Sequence, residues 1–139
     1  MTGALNDVWR GYLGHSIDTW NATYSQGTRV VIARNTTNSP RTMTAARYDE
    51  DWLGLYTPSG TRANRSFHIQ ANARTIALPT GGTVATWARW VTAHELGHAL
   101  SLADNPGTSQ ASIMKYPPSN SSPATTPRAY DISEVIRIY

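Results

Sequence analysis

Between residues 4 and 20 the apolar side chains Leu5, Val8, Trp9, Tyr12, Leu13, Ile17 and Trp20 recur at steps of three and four, which predicts an amphipathic helix. Gly11 and Gly14 lower its propensity without interrupting the stripe. The period then changes. Arg29 to Ala33 is a β-branched run halted by the polar stretch NTTNSP, the pattern of a strand and a loop. Thr44 to Tyr48 and Trp52 to Tyr56 predict two short strands around Asp49, Glu50 and Asp51, with a turn at Pro58 and Gly60. Ser66 to Leu78 alternates in part and predicts one or two strands before the break at Pro79 to Gly82. From Thr83 to about Leu100 the helical period returns, with Thr83 as its cap and Val84, Trp87, Val91, His94 and His98 along one stripe. Asn105 to Gln110 is turn-rich, and Pro117 to Pro127 has almost no apolar content and reads as a loop. Thr126 to Tyr139 places Ile132, Val135, Ile136 and Tyr139 at helical spacing, so a last helix should pack back on the core.

Length and composition narrow this picture. A chain of 139 residues matches one domain, residues 1–139, with one core and room for a single active site. With 40% hydrophobic residues, 15% charged residues and five Trp, the composition is globular rather than disordered. The longest mainly apolar stretch, Val84 to Leu102, is broken by Arg89, His94, Glu95 and His98, so no membrane span is expected. No basic-then-apolar leader precedes a small-residue cleavage site, so Met1 should open either a mature chain or an intracellular one. Cysteine is absent, which excludes thiolate ligands and Cys nucleophiles and leaves His and carboxylates for any metal. The net charge of +3 comes from Arg scattered between Arg10 and Arg137 without a dense cluster, so no nucleic-acid partner is expected.

The chemistry concentrates in the predicted helix, where His94, Glu95, Leu96, Gly97 and His98 spell H-E-x-x-H. Residues four apart share a helical face with Cβ atoms about 5 to 6 Å from each other, so two imidazoles can converge on one ion. Glu95, turned about 100° from His94, is better placed to reach a water on that ion than to ligate it. Catalytic zinc takes three protein ligands. Asp104 stands six residues past His98; a continuing helix would carry it about 9 Å along the axis, so the chain must break near Ser101 and fold back.

The run HELGHALSLAD resembles the metzincin signature H-E-x-x-H-x-x-G-x-x-H/D, with Asp104 in the last slot as in the small snapalysin-type bacterial proteases. Further on, Ser112, Ile113, Met114, Lys115 and Tyr116 resemble the S-I-M-x-Y form of the metzincin Met-turn, and YDISEVIRIY is similar to the C-terminal helix of matrixins. The specific motifs cover residues 94–116. The resemblance implies an α/β (α+β) fold of the minimal metzincin kind: a twisted mixed sheet, a backing helix, an active-site helix, a Met-turn and a C-terminal helix. It implies zinc held by His94, His98 and Asp104, an apolar floor at Met114, and a Tyr116 that approaches the metal or stabilises an oxyanion. Glu95 would accept the proton of a zinc-activated water and pass it to the leaving amine. The expected activity is hydrolysis of protein or peptide substrates, outside the cell, by a monomer. The strand near Ser66 to Ala77 is expected to be the rim edge that pairs with an extended substrate, and Lys115 to Asn120 should shape the pocket beside the metal.

Ser101 departs from the pattern, since Gly suits a turn that demands positive φ, and a non-Gly residue there costs of order 1 kcal/mol. Glu134 on the last helix is the rival third ligand. His15 and His68 are expected to be surface or packed residues, and Asp49, Glu50 and Asp51 a solvated acidic loop without the spacing of an EF-hand. A zinc-bearing binding or structural module without turnover is the alternative function.

Overall fold

The computed structural model describes residues 5–34 and 38–139, so position 4 of the first expected helix and part of the NTTNSP loop lie outside the described residues. Helix α1 (Asp7–Ala22) starts where the Asn6 side chain accepts from the Trp9 N–H, and it buries Leu13, Ile17 and Trp20. Val8 faces solvent. A 3-10 turn, Thr23–Gln26, ends at Gly27 with φ 105°, a value that favours glycine.

The strand expected over Arg29 to Ala33 is absent, because no other strand lies beside it among the described residues. The Asn21 side chain takes the partner's role instead, accepting from the Ile32 N–H at 2.7 Å and donating to the Ile32 carbonyl at 2.9 Å. One side chain thereby satisfies a backbone that would otherwise need a ladder.

The sheet is mixed. Strands β1 (Arg41–Ala46), β2 (Gly54–Ser59) and β3 (Ser66–Asn72) lie in the order β1-β3-β2, with β3 parallel to β1 and antiparallel to β2. This corrects the expected rim: β3 is hydrogen-bonded on both sides and cannot take a further strand, whereas β2 has no strand on its outer side among the described residues. β3 carries the most buried positions, including Ile69 and Ala71, as a central strand should. Beyond it the chain turns into the one-turn helix α2 (Ala73–Ile76), capped by Asn72, and not into a second strand.

The loop between β1 and β2 keeps Asp49, Glu50 and Asp51 exposed, as expected, and its backbone is braced. Arg74 donates to the carbonyls of Tyr48, Asp49 and Glu50 and to the Asp51 carboxylate, while buried Asn72 bonds both Tyr48 backbone groups and the Glu50 carbonyl. The guanidinium supplies the positive charge that the convergent oxygens need.

Helix α3 (Val84–Ala99) is capped by Thr83, which accepts from the Thr86 N–H. It packs on α1 with one side and on β2 and β3 with the other, so it is buried nearly all round, from Trp87 to Gly97. The Trp20 indole donates to the Ala93 carbonyl, and the Ser16 and Thr92 hydroxyls pair between the two helices. Helix α4 (Ala129–Ile138) packs back as expected but on a different face: Asp131 and Val135 are fully buried, while Ile136 and Tyr139 are exposed. The inward anchor is therefore a carboxylate, which apolar periodicity cannot register. No described helix is long and apolar enough to cross a membrane.

Candidate metal centre

The site grows out of the way α3 stops. Ala99 is its last residue and Leu100 its cap, Ser101 takes φ 69°, and the Ser101 N–H reaches the His98 carbonyl at 2.9 Å while the Leu102 N–H reaches the Gly97 carbonyl at 3.0 Å. This pair of bonds is a Schellman cap with serine where glycine is usual. The Ser101 hydroxyl is held by Arg65 at 3.1 Å and by the Tyr139 hydroxyl at 3.1 Å. The reversal turns Leu102 into the core and brings Asp104 back over the helix face that carries both histidines.

His94 Nδ1 lies 3.1 Å from the Ile113 carbonyl, and His98 Nδ1 lies 3.1 Å from the Leu102 carbonyl. A carbonyl only accepts, so Nδ1 carries the proton in each ring and Nε2 is left with a lone pair. Those two Nε2 atoms face Asp104 Oδ1, at 3.1 Å from His94 and 3.5 Å from His98. Three acceptors thus point at one another, an arrangement that only a cation or added protons can relieve. His94, His98 and Asp104 each offer a ligand atom within 4.8 Å of the others, and this group can hold a metal ion. Each histidine is already oriented through its far nitrogen, as ligating histidines are.

Glu95 is nearly buried in the wall of the same cleft. Burial and, after it, the negative charge of Asp104 push its carboxyl up to about 8. Burial and the neighbouring His98 lower the His94 imidazole, against the Ile113 carbonyl and Asp104, which raise it. Gly54 of β2 lets the strand lean on Glu95: a Cβ there would stand 2.5 Å from Glu95 Oε1 and 2.7 Å from Val91 Cγ1.

The cleft, about 480 Å³, runs between β2 and α3 and is lined by Leu55, Tyr56, Trp90, Tyr116 and Pro117 besides the metal group. Tyr56 stacks on His98 with centroids 5.8 Å apart, and its buried hydroxyl has no partner among the described residues. Tyr116 stands at the mouth and donates its hydroxyl to Asp104 Oδ2. Burial of the phenol end, that bond and the charges of Asp104 and Glu95 push it up to about 12.

Met114 lies fully buried against α3, so close that a Cβ on Gly97 would meet its Sδ at 2.4 Å. Gly97, at an open position of H-E-x-x-H, thus makes room for the methionine. Asn105, with φ 40°, ties the Asp104 turn to this segment, since its N–H donates to the Met114 carbonyl at 2.9 Å.

Asp131 is the residue that sequence reasoning missed. Its carboxylate accepts from the Ser112 hydroxyl, from the Ile113 N–H at 2.9 Å and from the Arg128 N–H at 2.7 Å. The Ile113 carbonyl then receives both His94 and the Trp90 indole. An acidic residue in the first turn of a predicted helix is a capping signal, but its donors at residues 112–113 lie too far away in sequence to be read.

The other candidates fall elsewhere. Glu134 pairs with Arg137 at 2.7 Å and is not in the metal group. His68 bonds Thr42 and Thr44 on the neighbouring strand, and His15 reaches the Thr125 carbonyl. Comparisons of the chain with known protein families, with curated proteins and with solved structures find no match.

Proposed function

We propose that the protein is a zinc-dependent endopeptidase in which His94, His98 and Asp104 hold the ion and Glu95 is the general base. The observation that carries this reading is the convergence of two Nδ1-anchored histidines and Asp104 on one point, beside a nearly buried glutamate in an open cleft. Tetrahedral zinc with bonds of about 2.0–2.1 Å sets its ligand atoms about 3.3 Å apart, and the two measured N···O separations, 3.1 and 3.5 Å, bracket that value. An N₂O donor set without thiolate also suits a catalytic rather than a structural zinc.

When bound, zinc supplies an acidified water and a Lewis acid for the scissile carbonyl. The chain's own groups do the rest. Glu95 takes the proton from the attacking water and returns it to the leaving amine. Tyr116, released from Asp104, offers its hydroxyl to the charge developing on the carbonyl oxygen. The open side of β2, from Leu53 to Tyr56 along the cleft, offers backbone groups to an extended peptide as an added strand. A protein substrate outside the cell, met by a monomeric enzyme, completes the proposal.

Chelation followed by metal return tests it. Zinc-loaded protein should cut a mixed peptide library at internal bonds, lose that activity in a strong chelator and regain it with zinc. A protein that binds one zinc and cuts nothing would instead be the binding or structural module.

A further inference from the structure

The segment after the Met-turn has no helix or strand from Pro117 to Pro127, yet it is held. The N–H groups of Thr80 and Gly81 both donate to the Ser119 carbonyl, at 2.9 and 3.0 Å. A Cβ on Gly81 would stand 2.3 Å from Asn120 C and Ser121 N, backbone atoms with no side-chain freedom to yield. Gly82, at φ 69°, would bring a Cβ to 3.0 Å from Ser122 Oγ and 3.3 Å from Ser122 Cα. The Gly81 carbonyl in turn accepts the indole of buried Trp87 at 2.6 Å. Trp87 sits edge-on to Trp90, which lines the cleft and donates to Ile113.

We propose that Gly81 and Gly82 clamp residues 118–122 against the start of α3 and so fix the cleft wall at Tyr116 and Pro117, which selects the substrate side chain accepted beside the metal. The coupling is mechanical. Pro117 and Pro118 each have a fixed φ, so only ψ rotations remain to absorb a displacement at Ser119 before it reaches Tyr116 and Pro117. The contact that Gly81 allows is about 1 Å shorter than ordinary van der Waals contact, so an alanine there must push the segment outward by a comparable distance. Gly81, Gly82 and Trp87 are positioning residues; none of them lines the cleft.

For substrates this inference rests on the peptidase reading, so the test has a second readout. Gly81→Ala is compared with the wild type in two ways: cleavage-site preference in a peptide library, and affinity for short peptide hydroxamates that differ in one side chain. The variant should keep one zinc per chain and change its preference between a small and a large side chain, read as the ratio of their kcat/KM values, by about tenfold. Trp87→Phe, which removes the indole donor and keeps an apolar ring, should shift preference in the same direction by less, and it carries the test if Gly81→Ala does not fold. Preferences within twofold of wild type in a folded variant, or an equal loss on every side chain, would overturn the proposal. If the wild type cuts no peptide, the peptidase reading fails and the hydroxamate series alone decides the clamp.

Discussion

Asp131→Asn is the substitution whose consequences the structure allows to be worked through most fully. The fully buried carboxylate accepts three donors, and one of them, Ile113, presents its carbonyl to His94. Asparagine keeps a single oxygen. Turned to serve the Ile113 and Arg128 N–H groups, it aims its amide N–H₂ at the Ser112 oxygen, and the Ser112 hydroxyl proton loses its acceptor. Two bonds to a charged acceptor become neutral ones and a third is stranded, and with about 1.5–3 kcal/mol for the charged kind against about 0.5–1.5 for the neutral kind, the loss is about 2–4 kcal/mol. Asp131→Ala strands two buried backbone N–H groups and should cost about 3–5 kcal/mol. Because the Ile113 carbonyl orients a metal ligand, Asp131→Asn should also weaken zinc binding by about tenfold or more. Denaturant unfolding of the metal-free protein and competitive zinc titration measure the two effects separately. An Asp131→Asn protein within about 0.5 kcal/mol of wild type, with unchanged zinc affinity, would refute the reasoning.

Two further outcomes follow from the same site. With Glu95 held at about 8, the folded metal-free chain keeps a proton that the unfolded chain releases, so stability falls as pH rises; His94, lowered from 6.5, adds no slope above that value. Between pH 6.5 and 8 the fall should reach about 2 kcal/mol, and Glu95→Gln should flatten it; parallel wild-type and variant curves in chemical denaturation count against a buried base. At Ser101, φ 69° strains any residue with a Cβ, so Ser101→Gly should be more stable than Ser101→Ala by about 1 kcal/mol. Equal melting free energies for that pair would mean that the turn is not under strain.

The group that can hold a metal was legible because its signal is local. His94, Glu95 and His98 lie close together on one helix, and taking Asp104 as the third ligand required α3 to break near Ser101, where the structure has its Schellman cap. The alternation of periods gave helices and strands in order; the α+β class with a mixed sheet came from the resemblance, and the structure has it. Sheet order was not legible: strands β2 and β3 look alike in pattern, and only long-range pairing decides that β3 enters between β1 and β2 and leaves β2 at the rim. The Arg29 to Ala33 run shows the opposite failure, since β-branched residues favour extended backbone but Asn21 satisfies that backbone without a sheet. Polar anchors such as buried Asp131 and Asn72 and the partly exposed Arg74 were invisible for one reason: most of their partners are backbone groups brought near by the fold, and no spacing rule encodes them.

The most direct measurement pairs metal content with cleavage for the wild type and Glu95→Ala. The account predicts one zinc per chain in both proteins, chelator-sensitive hydrolysis of internal peptide bonds by the wild type, and a loss of that hydrolysis by at least about a hundredfold in the variant. Hydrolysis that survives in Glu95→Ala, or a zinc-loaded wild type that cuts no peptide, would contradict it.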